Sequence, residues 1–232
     1  MNFAERLKTI RNRIREACLR RGLNQNVTII AVTKTHPVGA LIEAWNNGLP
    51  HIGENRVQEA AAKFPKLPSD ILPVKHLIGH LQSNKINKAL DLFDRLDSVD
   101  SLALAEKINR KTTVQGQIIP VLLEVNTSGE TAKSGFHPDD LEAMLACLEL
   151  PGIEVRGLMT VGPLTDEENT IRTSFIQLRK IQDDLNQQKP EDTCALTELS
   201  MGMSNDFELA VEEGSTMIRV GTALFGPREY SA

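Results

Sequence analysis

A chain of 232 residues, 41% of them hydrophobic, is long enough for one large domain or two small ones and carries enough apolar side chain for a substantial core. Its 26 basic and 31 acidic residues leave a formal charge of -5, which argues against bulk nucleic acid as the main partner and leaves room only for a local basic pocket. Cys18, Cys147 and Cys194 are odd in number and far apart, which argues against a zinc site and for the reduced thiols of a cytoplasmic protein.

The opening stretch, "MNFAERLKTIRNRIREACLR", has arginines where a secretion signal needs an apolar region, and no later run approaches the roughly 20 apolar residues of a membrane span. The spacing of its leucine and isoleucines predicts an amphipathic helix. Glu5 and Glu16 interrupt its positive face, which favours a helix capping one end of a domain over one lying on a membrane surface.

Short apolar runs then alternate with helical patterns. "NVTIIAVTK" leads to "PVGALIEAWNNG", a helix with proline at its start and glycine at its end. "HIGEN" leads to "RVQEAAAKF", "VKHLIGHL" to "QSNKINKALDLF", and "FDRLDSVD" to "SLALAEKINRK", where Ser101 is placed to cap the helix. A glycine-containing loop separates "GQIIPVLLEVN" from "HPDDLEAMLACLEL". "IEVRGLMTVG" precedes a long helix through "RTSFIQLRKIQDDLNQQ", "CALTELSMG" precedes "NDFELAVEEG", and "TMIRVGTALFG" is the eighth strand.

Eight strand–helix units in this length predict a (β/α)8 TIM barrel with an additional N-terminal helix. The alternative is an open doubly wound sheet, which results if "HIGEN" and "FDRLDSVD" are not strands. No glycine-serine tract or charge block marks a linker, so one domain over residues 1–232 is expected.

In a barrel, chemistry collects where strands end and the following loops begin. Lys34 ends the first strand, Glu54 and Asn55 the second; His80, Gln82 and Asn84 follow the third, and Asn126 ends the fifth. Met159 and Thr160 lie at the sixth, residues 200–204 follow the seventh, and residues 219–222 close the eighth.

Lys34 has two readings: a surface lysine whose stem lies over apolar neighbours, or an amine in a partly desolvated mouth that captures an aldehyde as an imine. "SMGMSND" places Ser204 and backbone N–H groups before a helix, where they suit a phosphate or an ordinary serine cap. In "IRVGTALFG", Arg219 lies on the same side as Gly221 if the strand continues; Gly221 permits close approach of an anion and Thr222 adds a hydroxyl. A closed barrel sets strand eight beside strand one, so the amine and the anion cradle become neighbours. Pyridoxal 5'-phosphate presents an aldehyde to the first and a phosphate to the second.

"AVTKTHP", "HIGENRVQEA", "HLIGHLQSNK", "EVNTSGETAKSGF", "GLMTVGP" and "LSMGMSNDFELAVEEGSTMIRVGTALFG" together resemble the blocks of the pyridoxal phosphate homeostasis protein family, in family order and over nearly all of the chain. That family is related to the barrel domain of alanine racemases. The resemblance implies that Lys34 forms the internal aldimine, a Schiff base, and that Met203, Ser204, Gly221 and Thr222 surround the phosphate. It also implies that Arg219 faces the pyridine nitrogen and that Asn55 lies near the cofactor. Arg56 departs from the pattern, standing where relatives commonly carry tyrosine. A fixed guanidinium charge disfavours a second positive charge on the ring nitrogen, which makes the ring a weaker electron sink.

His80 is a candidate cofactor contact, or with His76 an organiser of the third loop. Asn84 and Lys85 either hold that loop or attract an anionic partner. "NTSGETAKSGF", with Lys133, is a lid, a partner-contact loop or a surface turn. Met201 and Met203 are read as packing residues around a cofactor rather than as a metal-binding pair, and no metal site is expected. The function implied by the resemblance is intracellular cofactor homeostasis: a non-enzymatic, monomeric protein that holds pyridoxal 5'-phosphate and passes it to cofactor-free enzymes, without nucleic acid or stable membrane association. One alternative is an amino acid racemase, which needs a second proton-transfer group opposite Lys34; the sole tyrosine, Tyr230, lies near the C-terminus. The other is a regulatory scaffold responsive to the cofactor.

Overall fold

In the computed structural model, which describes residues 1–226, eight parallel strands close into a barrel in sequence order. They are β1 (Thr28–Val32), β2 (His51–Glu54), β3 (Val74–Leu77), β4 (Arg95–Val99), β5 (Ile119–Glu124), β6 (Ile153–Met159), β7 (Glu198–Ser200) and β8 (Met217–Val220). The two weakest runs, "HIGEN" and "FDRLDSVD", are β2 and β4. With β8 paired to β1, Ile30 opposite Arg219, no sheet edge remains and the open doubly wound alternative falls.

The helices begin and end where local chemistry directs. Ser101 accepts the Leu104 N–H at 3.3 Å and starts α5 (Leu102–Val114). Pro37 precedes α2 (Val38–Asn46), and Gly48, at φ 73°, turns the chain back toward β2. Around them lie α3 (Val57–Lys63), α4 (Ile86–Leu92), α6 (Leu141–Leu148), α7 (Glu168–Gln188), α8 (Phe207–Glu212) and a single turn, α9 (Thr222–Phe225). None of these helices is long and apolar enough to cross a membrane.

The first helix, α1 (Phe3–Arg20), opens with the predicted polarity: Asn2 and Glu5 form a reciprocal capping box. Its place differs from the expectation. Instead of closing an end of the barrel, it packs along the outer wall, where Phe3, Leu7, Ile10 and Ile14 meet Phe207 and Val211 of α8 and Ile29, Ala31, Ile218 and Val220 of β1 and β8. The reason is a gap in the helical ring. The turn α9 is too short to cover β8, and α1 takes the position an eighth helix would hold. Two of its arginines are used there, Arg13 on Glu208 and Arg20 on Glu212, and Arg21, directly after the helix, pairs with Glu213.

The eighth strand is also shorter than expected. It ends at Val220, because the chain turns at Gly221 and places Leu224 and Phe225 on a helical face, with the Phe225 ring 5.3 Å from that of Phe3.

Inside the barrel, Ile30, Leu122, Met159 and Met217 form an apolar wedge. A second interior cluster is ionisable: His51 Nδ1 lies 2.9 Å from His76 Nε2, His76 Nδ1 2.6 Å from Asp97, and Arg95 joins Asp97 to Glu198.

Candidate functional site

The last residue of β1 is Val32, and Lys34 stands two residues beyond it, half-buried. The loop around it is fixed from the outer side of the wall. Glu54 Oε1 accepts the Thr33 hydroxyl at 2.7 Å and Lys63 Nζ at 2.8 Å; Lys63 also donates to the Thr33 carbonyl at 2.7 Å and pairs with Glu59 at 2.6 Å. Glu59 accepts the Thr35 N–H at 2.5 Å, which secures a non-glycine residue at φ 66°. Lys34 therefore projects from a loop held on both sides. Burial pushes the Glu54 carboxyl above the ordinary glutamate value, against the hydrogen bonds of Lys63 and Thr33. Lys63 Nζ meets three acceptors, as many as its donors, so this neighbouring amine is committed to the clamp.

A cavity of about 720 Å³ opens over the barrel mouth. It gathers Lys34, Asn55, Met203, Ser204, Arg219, Gly221 and Thr222 from the ends of β1, β2, β7 and β8. Asn55 has a buried side-chain oxygen with no protein partner. Its backbone is packed against Gly79, where an added Cβ would stand 2.5 Å from the Asn55 carbonyl oxygen. Arg219 is buried, with one amino group donating to the Ser200 carbonyl and hydroxyl at 2.7 and 2.8 Å and the other to the Thr160 carbonyl at 2.7 Å. Burial lowers its affinity for the proton, while Glu124, Asp206 and Asp97 oppose that effect. These bonds use three of the five guanidinium donors.

The Met203–Ser204 turn and the start of α9 are tied together, since Ser204 Oγ accepts the Ala223 N–H at 3.2 Å. The N-cap of α8 is Asp206, not Ser204, and Asp206 takes the Met203 N–H at 2.5 Å. Met203 therefore lines the cavity with its side chain, while its amide is already engaged. Met201 lies in the core and Met203 is partly exposed, so only the former is a packing residue in the ordinary sense.

Other expected residues are elsewhere. His80 is exposed and bonded to Asp100 at 2.8 Å, outside the cavity lining, and His76 is buried in the ionisable wedge. Asn84 and Lys85 form a short 3-10 turn before α4. Lys133 is bound to Glu130 and the Gly162 carbonyl, and Asn126 Nδ2 donates to the Glu130 and Lys133 carbonyls, so "NTSGETAKSGF" is a self-bonded loop. Arg56 is exposed at the start of α3 and does not line the cavity. Tyr230 lies outside the described residues. The sequence reading missed Asp206, whose position just before a helix is itself a capping signal, and Ile78, Pro163 and Leu164, which carry no chemical signature.

Comparison with known proteins places this cavity in a family. The model of the alanine racemase N-terminal domain matches residues 6–229. The pyridoxal phosphate homeostasis protein of Aquifex aeolicus is 40% identical over 99% of this chain and 100% of its own length. The chain belongs to the pyridoxal phosphate homeostasis protein family. Another member, from Pseudomonas aeruginosa, is 40% identical over 99% of the chain and 97% of its own length. PipY of Synechococcus elongatus, solved with PLP bound, superposes with a TM-score of 0.82 at 44% identity, covering 97% of this chain and all of PipY. Alanine racemase of Clostridium difficile shares the fold at a TM-score of 0.75 and 17% identity, and the match covers 61% of that longer chain.

Proposed function

We propose that this protein binds pyridoxal 5'-phosphate (PLP) in the cavity at the mouth of β1 and β8 and serves in homeostasis of that cofactor, without a catalytic cycle of its own. The observation that carries the reading is the convergence, in one cavity, of Lys34 with Ser204, Gly221, Thr222 and Arg219. The bound group would supply an aldehyde for an amine to capture and a phosphate for an anion site.

The residues fit such a group. The Asn55 side-chain oxygen, buried without a protein partner, awaits a donor, and Gly221 holds the chain against Val32, its notional Cβ 3.3 Å from the Val32 carbonyl oxygen. Lys34 supplies the amine from a clamped loop. Ser204 and Thr222 supply hydroxyls, and Gly221 allows the backbone to approach the phosphate closely. Arg219 has a fixed charge and donors only, so facing a ring nitrogen it donates a hydrogen bond and leaves no proton there. That arrangement suits retention of the group better than carbanion chemistry.

The test is reconstitution with PLP followed by borohydride trapping and peptide mapping. The expected adduct is on Lys34 and is absent from Lys34→Ala; an unchanged adduct on another lysine overturns the assignment. Mixing the loaded protein with a cofactor-free PLP enzyme reads transfer, while both alanine enantiomers are assayed in parallel. Transfer without racemisation is expected. Robust turnover that Lys34→Ala abolishes would establish the racemase reading instead.

A further inference from the structure

A second cavity, of about 260 Å³, adjoins the first and shares Val161 with it. Its floor is Glu124, the last residue of β5. Side chains alternate along that strand: Val121 and Leu123 face the outer core, while Leu122 points into the barrel with Ile30 and Met159, which places Glu124 on the inner face. Glu124 is 8% exposed, and no hydrogen bond or ion pair of its carboxyl group is found among the described residues. Buried carboxylates are ordinarily paired or hydrogen-bonded. Here the group lines an open space instead.

Three ionisable side chains act on it, and a fourth lines the cavity wall. Arg219, from β8, is the strongest compensating charge, but its guanidinium donates to Ser200 and Thr160. Asp100, after β4, repels the carboxylate, and His80, after β3, attracts it while bonded to Asp100. Lys133, at the cavity wall, commits two of its three donors to Glu130 and Gly162, and Ser134 stands beside it. Burial pushes Glu124 up to about 7, with Arg219 acting against that rise.

We propose that this second cavity is a binding subsite for small primary amines, in which Glu124 is the counter-ion of the ligand's ammonium group. An ammonium supplies both the donors and the charge that Glu124 lacks. The remaining donor of Lys133 and the Ser134 hydroxyl suit a carboxylate at the other end, so an amine that also carries a carboxylate binds more tightly than a plain one. The space is below the usual range for drug-sized ligands, which sets the size of the occupant. Glu124, Lys133 and Ser134 are not assigned to hold PLP, whereas Arg219 belongs to both settings, so the test is made without added cofactor and its failure leaves the cofactor reading standing.

Titration calorimetry on the full chain without added cofactor tests it, with methylamine, glycine and acetate as probes. Methylamine and glycine bind, acetate does not, and amine affinity rises about tenfold from pH 6 to pH 8 as Glu124 ionises. At pH 7, binding releases protons to the buffer, a readout on the unaltered protein. Glu124→Gln removes the pH dependence and lowers affinity at least tenfold at pH 8, with an unchanged circular dichroism spectrum. Lys133→Met weakens glycine and leaves methylamine unchanged. Absence of amine binding, acetate binding equal to glycine, or a Glu124→Gln protein that binds as the parent does would each overturn the proposal.

Discussion

Lys63 and Glu54 are the clearest case of side chains whose role only three dimensions disclose. Both are buried, and Lys63 is the main compensating group for Glu54, whose second oxygen has no partner. Lys63→Met leaves that carboxylate unpaired, and removing one partner of a buried pair costs about 3 to 5 kcal/mol. Urea denaturation should show that loss, and Lys63→Arg should recover part of it. In the sequence, Lys63 falls in "RVQEAAAKF", and nothing in its neighbourhood places Glu54 opposite. Lys34 was legible for the converse reason: a charge directly after an apolar strand needs an explanation from the sequence alone. Glu124 carries its own signature in pH. Its pKa of about 7 exceeds the ordinary 4.5, so the folded state binds the proton more tightly. Stability is therefore full below about pH 4.5 and falls as pH rises through 7, by about 3 kcal/mol in total. Glu124→Gln should lack that slope and exceed the parent in stability at pH 8, as read from urea midpoints across pH.

At the scale of elements, α1 shows what periodicity delivers and what it withholds. The apolar spacing identified the helix and the face it buries, and Ser101 and Pro37 marked helix starts correctly. Periodicity does not say which surface that face meets; this depended on the shortness of α9. Ile10 is 2% exposed in the cluster joining α1, α8 and β8, whereas Leu19 on the same helix is largely exposed. Ile10→Ala should cost about 2 to 5 kcal/mol in urea denaturation. Leu19→Ala should stay within about 0.5 kcal/mol of the parent in the same measurement. The glycine and hydroxyl residues after β7 and β8 that line the cavity were visible in the sequence, but the engagement of the Met203 amide by Asp206 was not, because a side chain bonding back toward its own turn leaves no mark distinct from an ordinary cap.

The whole molecule is a barrel whose interior holds an apolar cluster from β1, β5, β6 and β8 and an ionisable cluster from β2, β3, β4 and β7. Eight alternating units made the barrel legible, since closure follows from strand number and connection type. The ionisable wedge was not legible, because His51, His76, Arg95, Asp97 and Glu198 come from four separate strands. Burial would raise Asp97, but His76 and Arg95 outweigh it and hold the carboxyl below the usual aspartate range. Its contribution to stability is present above the ordinary aspartate value and is lost as pH falls through the lowered one. Asp97→Asn should cost about 3 kcal/mol or more at pH 7. The difference from the parent should narrow in strong acid, as followed by denaturation at pH 7 and pH 3.

The position of α1 sets the order of events on the ribosome. Within this domain α1 is made before every strand, yet its partners are α8 and β8, made after all the other strands, and β1 likewise waits for β8 to close the ring. Until α8 and β8 are made, the apolar stripe of α1 lacks its partners, and the barrel can be sealed only once β8 is available. An arrest shortly before β8 would thus leave seven strands with an open seam and an uncovered helix face.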